Sequence, residues 1–358
     1  MRFGISIYPG LELSGAEQQA LLRLASARGV TRLFTSLHLP ETKPESFIAE
    51  GRALLQAARD LGFDIIADVS PAALKTLGLE RFEADAFAAF GIRTLRLDDG
   101  FSPAEIARFS HNAVGLRLQL NASTLNRSDL DELKSLGADF SHFDALHNFY
   151  PRPGTGLSLS FFRQQNDILR QYGLSVGAFI SSSARRRPPL YAGLPTLEFH
   201  REMPISLAAR HLAALGVESI FIGDERPSEE ELSQLTAIDP DVIGLHARLF
   251  PAGKPLQKFL QQPFTARPDV ARDAIRTLES RERSRRLSPI VPANTVARLY
   301  GAVTLDNCEY PRYAGELQII KRPQPADPRT NVIAQVVPEE HFLLSLITPG
   351  KKFTFYFE

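Results

Sequence analysis

The segment RFGISIYPGLELSGAEQQALLRLASARGVTRLFTS, residues 2–36, contains the smallest unit from which the fold of this chain can be predicted. The apolar run at each end has the residue types of a strand. Between them, Leu21, Leu22 and Leu24 fall on one face of a helix. Gly29 ends that helix, because glycine adopts the left-handed conformation that follows a last helical turn. The segment is therefore predicted to form a strand, a helix and a second strand.

The same unit recurs as far as about residue 236. Strand-like apolar runs occur at Phe3–Tyr8, Thr31–Ser36, Asp64–Asp68, Thr94–Leu97, Gly115–Leu120, Phe140–Phe143, Ser175–Ile180 and Glu218–Ile222. Eight strands that alternate with helices predict an α/β protein, specifically a (β/α)8 TIM barrel, over residues 1–238. A doubly wound sheet would alternate in the same way, but no GxGxxG motif follows the first strand, which disfavours a dinucleotide-binding sheet.

The pattern changes after about residue 240. A charged run at 269–287 predicts a solvated helix. Strand-like segments with period-2 alternation and no helices between them then follow: TVARLYGAV (295–303), GELQIIKR (315–322), NVIAQVV (331–337), FLLSLI (342–347) and KFTFYFE (352–358). This alternation predicts a second, small β-rich domain over residues 239–358.

Composition excludes several classes of function. The 358 residues include 41 Lys and Arg and 41 Asp and Glu, so no net charge favours nucleic acid or a membrane. Cys308 is the single cysteine, which excludes an intrachain disulfide and any metal site built from cysteine pairs. Because the chain begins directly with a strand-like run and has no apolar run of about 18 residues, we expect a cytoplasmic protein with a small-molecule partner.

The predicted strand ends are rich in carboxylates. In TIM barrels the chemistry lies at the carboxyl ends of the strands, and cleavage of a glycosidic bond requires two facing carboxyl groups, one protonated and one ionised. We expect Glu198 or Asp224 to be the acid, and Asp68 or the Asp98–Asp99 pair to be the base or an electrostatic partner. The candidate catalytic residues are therefore Asp68, Asp98, Asp99, Glu198 and Asp224.

A second set of strand-end residues suits the binding of an anionic sugar. The loop in SHFDALHNFYPRPGTGLSLSFF (141–162), which follows strand 6, is unusually rich in polar side chains, proline and glycine. The loops after strands 7 and 8 of such barrels often bind phosphate. The arginine fork can bind two phosphate oxygens, and here His200–Arg201 is favoured over the run Arg185–Arg187. The candidate substrate-binding residues are Tyr8, His38, Glu41, Asn121, His147, Asn148, Tyr150, Arg152, Ser181, Arg187, His200 and Arg201.

Three classes of function remain open at this point. A glycosidase fits the crowded acids. A sugar-phosphate isomerase or aldolase needs a metal or a Schiff-base lysine, and no lysine lies at a strand end. A binding protein without catalysis would gain nothing from acids that repel an anionic ligand. No HxH or HExxH spacing is present, so we expect neither a metal nor another cofactor.

Eight strand-end motifs resemble, in order, those of the MupG-type 6-phospho-N-acetylmuramidases: GISIYPG, LHLPE, DVSP, LRLDDGF, LNAST, HNFYPRPGTGLS, GLPTLEFHR and FIGD. LYGAVTLDNCEYPRYAGELQIIKR resembles that family's C-terminal cyclophilin-like domain. The resemblance implies cytoplasmic hydrolysis of the bond between N-acetylmuramic acid 6-phosphate and N-acetylglucosamine during bacterial cell-wall (peptidoglycan) recycling. The C-terminal domain is expected to pack on the barrel or to support a homodimer.

Overall fold

The computed structural model describes residues 1–36, 44–70, 82–97, 100–250, 254–287 and 289–357. The chain divides into two compact units, Met1–Ile238 and Asp239–Glu358. Within the described ranges, no helix has both the length and the apolar character needed to cross a membrane.

The first unit is a closed barrel of eight parallel strands, so the predicted TIM barrel is confirmed. The strands follow one another in sequence order, and β1 closes the ring by pairing with β8. They are β1 (Arg2–Ser6), β2 (Arg32–Ser36), β3 (Asp64–Val69), β4 (Ile92–Leu97), β5 (Arg117–Asn121), β6 (Phe143–Leu146), β7 (Val176–Ile180) and β8 (Ser219–Ile222).

Helices follow these strands, and five of those described begin with a side-chain cap. Ser14, for example, forms a capping box with Glu17 at the start of the first helix. The helices are α1 (Gly15–Ala27), α2 (Pro44–Asp60), α3 (Ala84–Ala89), α4 (Pro103–Phe109), α5 (Arg127–Ser135), α6 (Leu159–Gln171), α7 (Ile205–Ala214) and α8 (Glu229–Thr236).

The predicted strand Phe140–Phe143 is wrong in its position. Phe140–His142 is a 3₁₀ turn, and the strand runs from Phe143 to Leu146. The reason is local: the Asp139 carboxylate accepts hydrogen bonds from the N–H and the hydroxyl of Ser141, which favours a turn over an extended backbone.

The barrel interior is filled in layers, as alternation along the strands requires. At the amino-terminal end, the guanidinium of Arg32, which is 1% exposed, contacts Asp64, Asp144 and Ser219. Above it lies an apolar layer formed by Tyr8, Phe34, Ile66, Leu146, Phe179 and Phe221. This layer separates the buried ion pairs below from the polar residues at the carboxyl ends of the strands.

Among its described residues, the second unit has the strands β9 (Val242–Leu249), β10 (Phe264–Thr265), β11 (Ala274–Arg276), β12 (Ala302–Asp306), β13 (Leu317–Ile320), β14 (Thr330–Val336) and β15 (Lys352–Phe357). These seven strands form one mainly antiparallel sheet with the order β10-β15-β9-β14-β12-β13-β11. The α-helices described in this unit are α9 (Lys254–Leu260) and α10 (Ser280–Arg283).

Two local predictions for this unit are wrong. FLLSLI (342–347) lies mostly in the 3₁₀ helix Pro338–Leu346, because its apolar residues are consecutive and lack the alternation of a half-buried strand. The charged run at 269–287 is not one solvated helix, since it contributes the edge strand β11 before α10. The side chains of Arg276 and Glu316 form an ion pair there, with Nε and Oε1 2.5 Å apart.

Candidate active site

Three polar residues meet inside the barrel at the carboxyl ends of β3, β4 and β6. Arg96 Nη1 donates to Asp68 Oδ1 at 2.9 Å, and its Nη2 donates to Asn148 Oδ1. Because β5 separates β4 from β6, Arg96 can reach Asn148 only across the barrel interior. The predicted site residues Asp68 and Asn148 are therefore brought together by an arginine that is 4% exposed.

A chain of hydrogen bonds behind β6 fixes the backbone at Asn148. The Asn148 N–H donates to Ser123 Oγ at 2.9 Å, and Ser123 Oγ lies 3.1 Å from His147 Nδ1. His147 Nε2 lies 2.8 Å from Asn166 Oδ1 on α6. The acceptor Asn166 Oδ1 requires the proton on Nε2, so Ser123 donates to Nδ1 and accepts from Asn148.

The expectation that His147 binds substrate is therefore wrong. Its side chain is 0% exposed and points out of the barrel, towards α6, where its ring lies 4.6 Å from the ring of Phe162. Desolvation by burial is the main cause that lowers the pKa of His147 to about 4, so the imidazole is neutral near pH 7. His147 acts on the mouth only by positioning Asn148 through Ser123.

Arg187 brings a positive charge to the β1 and β7 side of the mouth. Its guanidinium carbon lies 4.2 Å from the centre of the Tyr8 ring and 5.7 Å from that of Phe149. The residue is only 8% exposed, yet no described residue accepts a hydrogen bond from its Nε or Nη1. Ser181 Oγ, on the same side of the barrel, is likewise buried and has no hydrogen-bond partner among the described residues. Both predicted residues thus offer unused polar atoms.

Glu225 adds a buried carboxyl group beside Arg187. It is 2% exposed, and its Oε1 accepts a hydrogen bond of 3.0 Å from the backbone N–H of Tyr8. Desolvation by burial raises the pKa of Glu225 to about 7, against a smaller lowering by that hydrogen bond and by the charge of Arg187. A carboxyl group in this state can be protonated near neutral pH.

Asp224 does not face the mouth, which contradicts its expected role as the acid. It is 0% exposed, and its two carboxylate oxygens accept the backbone N–H groups of Ser182 at 2.8 Å and Arg187 at 2.9 Å. Burial raises its pKa, but these bonds hold the loop after β7 in place. The physical reason is that the chain bends after Gly223, and the Asp224 carboxylate turns to the backbone N–H groups of the loop after β7.

Glu198 and Arg201 form an ion pair that joins two loops at the mouth. The Glu198 carboxylate accepts the N–H groups of Gly154 and Gly156, and Arg201 Nε donates to its Oε1 at 2.7 Å. Arg201 also donates to backbone carbonyls, namely those of Tyr150, Arg152, Ala192 and Gly193. We call this set of contacts the loop clasp.

The loop clasp corrects two expectations. The hydrogen bonds from Arg201 are the main cause that lowers the pKa of Glu198 to about 2, so Glu198 is ionised and is a poor proton donor near pH 7. Arg201 was predicted to bind phosphate, but all three of its guanidinium nitrogens already donate hydrogen bonds within the protein. The side chain therefore has no donor left for a phosphate.

His200 is also misplaced as a substrate-binding residue. It is 0% exposed, and its Nε2 lies 2.8 Å from His211 Nδ1 on α7. Desolvation by burial, helped by the charge of His211, lowers the pKa of His200 well below its usual value. The residue therefore packs the loop against α7 as a neutral ring, and it does not reach the barrel mouth.

The remaining predicted residues divide into those described and those not described. Asn121 is half-buried, and its Oδ1 accepts the N–H of Ser123 at 3.1 Å. Tyr150 is half-buried and Arg152 is exposed, and both stay predictions as substrate contacts. Outside the described residues lie His38, Glu41, Asp98 and Asp99. Among the residues described, no group of three or more His, Cys, Asp or Glu is arranged to hold a metal.

Glu225 is the functional candidate that the sequence analysis missed. It lies one residue beyond the predicted strand end at Gly223–Asp224, in a bend where strand alternation does not predict the direction of a side chain. Alternation from Leu146, which lies in the interior layer, does separate Asn148, which faces the interior, from His147, which does not.

Comparison with known proteins identifies the chain's family. The family described as 6-phospho-N-acetylmuramidase matches residues 3–237 with its N-terminal part and residues 250–356 with its C-terminal part. No curated protein matches the chain.

Two solved structures are similar over nearly the whole length. An uncharacterized B. cereus protein is 30% identical, with a TM-score of 0.88 and 99% of each chain covered. A conserved Enterococcus faecalis protein, also of unknown function, is 32% identical, with a TM-score of 0.72 and coverage of 100% of this chain and 97% of that one. With matches to both parts of the family and a barrel whose mouth carries these polar residues, the chain belongs to the 6-phospho-N-acetylmuramidase family.

Proposed function

We propose that this protein hydrolyses the glycosidic bond of a 6-phosphorylated N-acetylmuramic acid linked to N-acetylglucosamine. The observation that carries the proposal is Arg187: a guanidinium that is buried at the barrel mouth while two of its nitrogens have no acceptor among the described residues. Family membership supplies the reaction class, and Arg187 supplies the reason for an anionic substrate.

Among the described residues, the buried guanidinium of Arg187 has hydrogen-bond donors to spare. A cation removed from water loses its hydration, and that cost is normally offset by a paired carboxylate or by hydrogen bonds. Here the rings of Tyr8 and Phe149 offset part of the cost. A phosphate would accept hydrogen bonds from the guanidinium and from Ser181 Oγ, and would replace the lost hydration.

The position of Arg187 also favours phosphate over another anion. Arg187 belongs to the loop after β7, and the loops after β7 and β8 form the recurrent phosphate site of TIM barrels. The lactyl carboxylate of muramic acid is the other anion of the substrate. We assign the phosphate to Arg187 and test that assignment with substrates that lack one anion or the other.

The other residues at the mouth suit hydrolysis. Asp68, held by Arg96, provides a carboxylate on the β3 side, and Asn148 provides an amide for a sugar hydroxyl or acetamido group. Asp98 and Asp99 stay candidates for the same carboxylate role. A substrate of this kind places the enzyme inside a bacterial cell, in the recycling of wall sugars.

The direct test is incubation of the protein with three disaccharides, with products identified by mass spectrometry. The first is the phosphorylated muramic compound, the second is its unphosphorylated twin, and the third carries phosphate but no lactyl group. We expect cleavage of the first, slower cleavage of the third and almost none of the second. Binding of the first without cleavage of any would refute the hydrolase and favour a sugar-phosphate binding protein.

A further inference from the structure

We propose that Glu225 is the residue that donates a proton to the glycosidic oxygen of the substrate. The assignment rests on the proposed function, because it names the acid for that reaction. It comes from the position of this carboxyl group at the mouth, beside the anion site, and from the contacts that occupy the two acids expected from sequence.

Glu225 lies three residues beyond the carboxyl end of β8, in the bend Asp224–Glu225. The bend buries its side chain, which is 2% exposed. Its Oε1 is fixed by the Tyr8 N–H at the end of β1, the strand next to β8. The side chain therefore lies at the same part of the mouth as Arg187, whose guanidinium stacks on Tyr8.

The groups that act on Glu225 come from each element packed against it. Arg187, in the loop after β7, and Arg226, the next residue in the chain, favour the ionised form. Glu12, in the loop after β1, opposes it, and Tyr8 contributes a neutral N–H and a phenol whose pKa is raised by burial. Desolvation is the largest of these effects, and it favours the protonated acid.

A phosphate at Arg187 would strengthen this preference. A bound dianion neutralises the guanidinium and adds negative charge close to the carboxyl group, and both changes disfavour the carboxylate. Binding of the correct substrate would thus keep Glu225 protonated until the bond breaks. An unphosphorylated sugar would leave Arg187 uncompensated, and the acid would lose its proton more easily.

The step balances without a cofactor. The Glu225 carboxyl proton moves to the glycosidic oxygen, and the bond from that oxygen to C1 breaks with its electron pair on the oxygen. The oxygen of water bonds to C1, and a proton released from that water restores the carboxylic acid. The net reaction consumes one water and yields two sugars, one of which still carries the phosphate.

The test compares two leaving groups in the variant Glu225→Gln. The amide keeps an Oε1 acceptor for the Tyr8 N–H but has no acidic proton. One substrate is the phosphorylated disaccharide, whose sugar leaving group needs a proton. The other is the 2,4-dinitrophenyl glycoside of N-acetylmuramic acid 6-phosphate, whose phenolate leaves without one.

We expect kcat for the disaccharide to fall by roughly 10²–10⁴ and kcat for the dinitrophenyl glycoside to change by less than about tenfold. For the wild type, kcat/KM for the disaccharide should fall above about pH 7, because the free enzyme then loses the Glu225 proton. For the variant, kcat/KM for the dinitrophenyl glycoside should show no such fall. Glu198→Gln is the matched control, and it should affect both substrates equally.

An equal loss on both substrates would overturn the assignment and leave Glu225 a binding or structural residue. Glu225→Asp, which keeps the proton on a shorter side chain, provides a second variant if the amide variant does not fold. It should lose more activity on the disaccharide than on the aryl glycoside, and equal losses would again contradict the role. Failure of the wild-type protein on both substrates would instead refute the proposed function.

Discussion

Replacement of Glu225 by glutamine should stabilise the protein at alkaline pH, although it removes the proposed acid. Glu225 is 2% exposed, and burial raises its pKa to about 7. In the unfolded chain a glutamate has its ordinary pKa of 4.5. The folded protein therefore holds a proton that the unfolded chain releases, and the cost of ionising the buried carboxyl group appears as pH rises through this range.

The magnitude follows from the difference between the two pKa values. A difference of roughly 2.5 units corresponds to about 3 kcal/mol, all of which opposes folding once the pH exceeds about 7. The buried amide of the variant destabilises the folded protein by about 1 kcal/mol, because its N–H groups need acceptors. We expect the variant to be more stable than the wild type by about 2 kcal/mol at pH 8, and to show no such gain near pH 4.

Differential scanning calorimetry of the full-length protein at both pH values measures this effect. For a unit of about 240 residues, 2 kcal/mol corresponds to a rise in Tm of roughly 4–8 °C. Glu230→Gln, on the exposed face of α8, is the matched control, because it removes a carboxyl group that is not buried, and it should not raise Tm at pH 8. A gain for Glu225→Gln that is the same at pH 4 and pH 8, or a loss at pH 8, would refute the conclusion that the buried carboxyl group has a raised pKa.

Three further substitutions test other parts of the barrel. Gly156→Ala should destabilise the loop clasp by about 1–3 kcal/mol in urea unfolding, because the new Cβ would lie 2.6 Å from Glu198 Oε2, whereas Gly15→Ala has open space and should not destabilise. The wild type should lose up to about 3 kcal/mol of stability as pH falls from about 6.5 to 4, because the unfolded chain protonates His147 before the folded protein does. His147→Phe should not show this loss, and an unchanged pH dependence of unfolding would contradict the burial of His147 as a neutral ring. Arg32→Met should cost about 3–5 kcal/mol, because it leaves the buried Asp144 carboxylate with only the longer contact to Arg2, and a neutral effect would show that the Arg32 ion pairs contribute nothing.

The architecture could be predicted because it depends on local patterns that repeat. Every strand of the barrel contains a short apolar run, and helix ends such as Gly29 carry glycines at positive φ. The strand after Phe140 was misplaced because the Asp139 carboxylate, which accepts two hydrogen bonds from Ser141, favours a turn there, and the strand begins three residues later. A pattern of apolar residues does not predict such an effect.

The site could be predicted only in part, because residue type does not reveal what a side chain contacts. Asp68 and Asn148 are joined by Arg96, and Arg187 and Ser181 are buried with unused polar atoms, so all four stay predictions as site residues. Glu198, Arg201, His200, His147 and Asp224 have the chemistry of a site, yet they hold loops and neighbouring residues in place.

This division has a physical origin. A barrel with long loops at one end needs buried charges to satisfy the backbone groups of those loops, and such charges resemble catalytic residues in sequence. Strand alternation separates the two classes at the end of β6, where it places Asn148 inward and His147 outward. It gives no such signal for Asp224 and Glu225, which form a bend, or for Glu198 and Arg201, which lie in and next to a 3₁₀ helix.

The most direct test of the central claim is the preference of the enzyme for a phosphorylated over an unphosphorylated disaccharide, measured as a ratio of kcat/KM in the wild type and in Arg187→Met. Methionine keeps an apolar contact with Tyr8 and Phe149 but has no donor for phosphate. We expect kcat/KM for the phosphorylated disaccharide to exceed that for the unphosphorylated one by roughly 10³ or more in the wild type. In the variant this ratio should fall by at least about 10², through loss of activity on the phosphorylated compound alone. An equal loss on both disaccharides, with the ratio unchanged, would contradict the claim that Arg187 is the phosphate-binding residue of this active site.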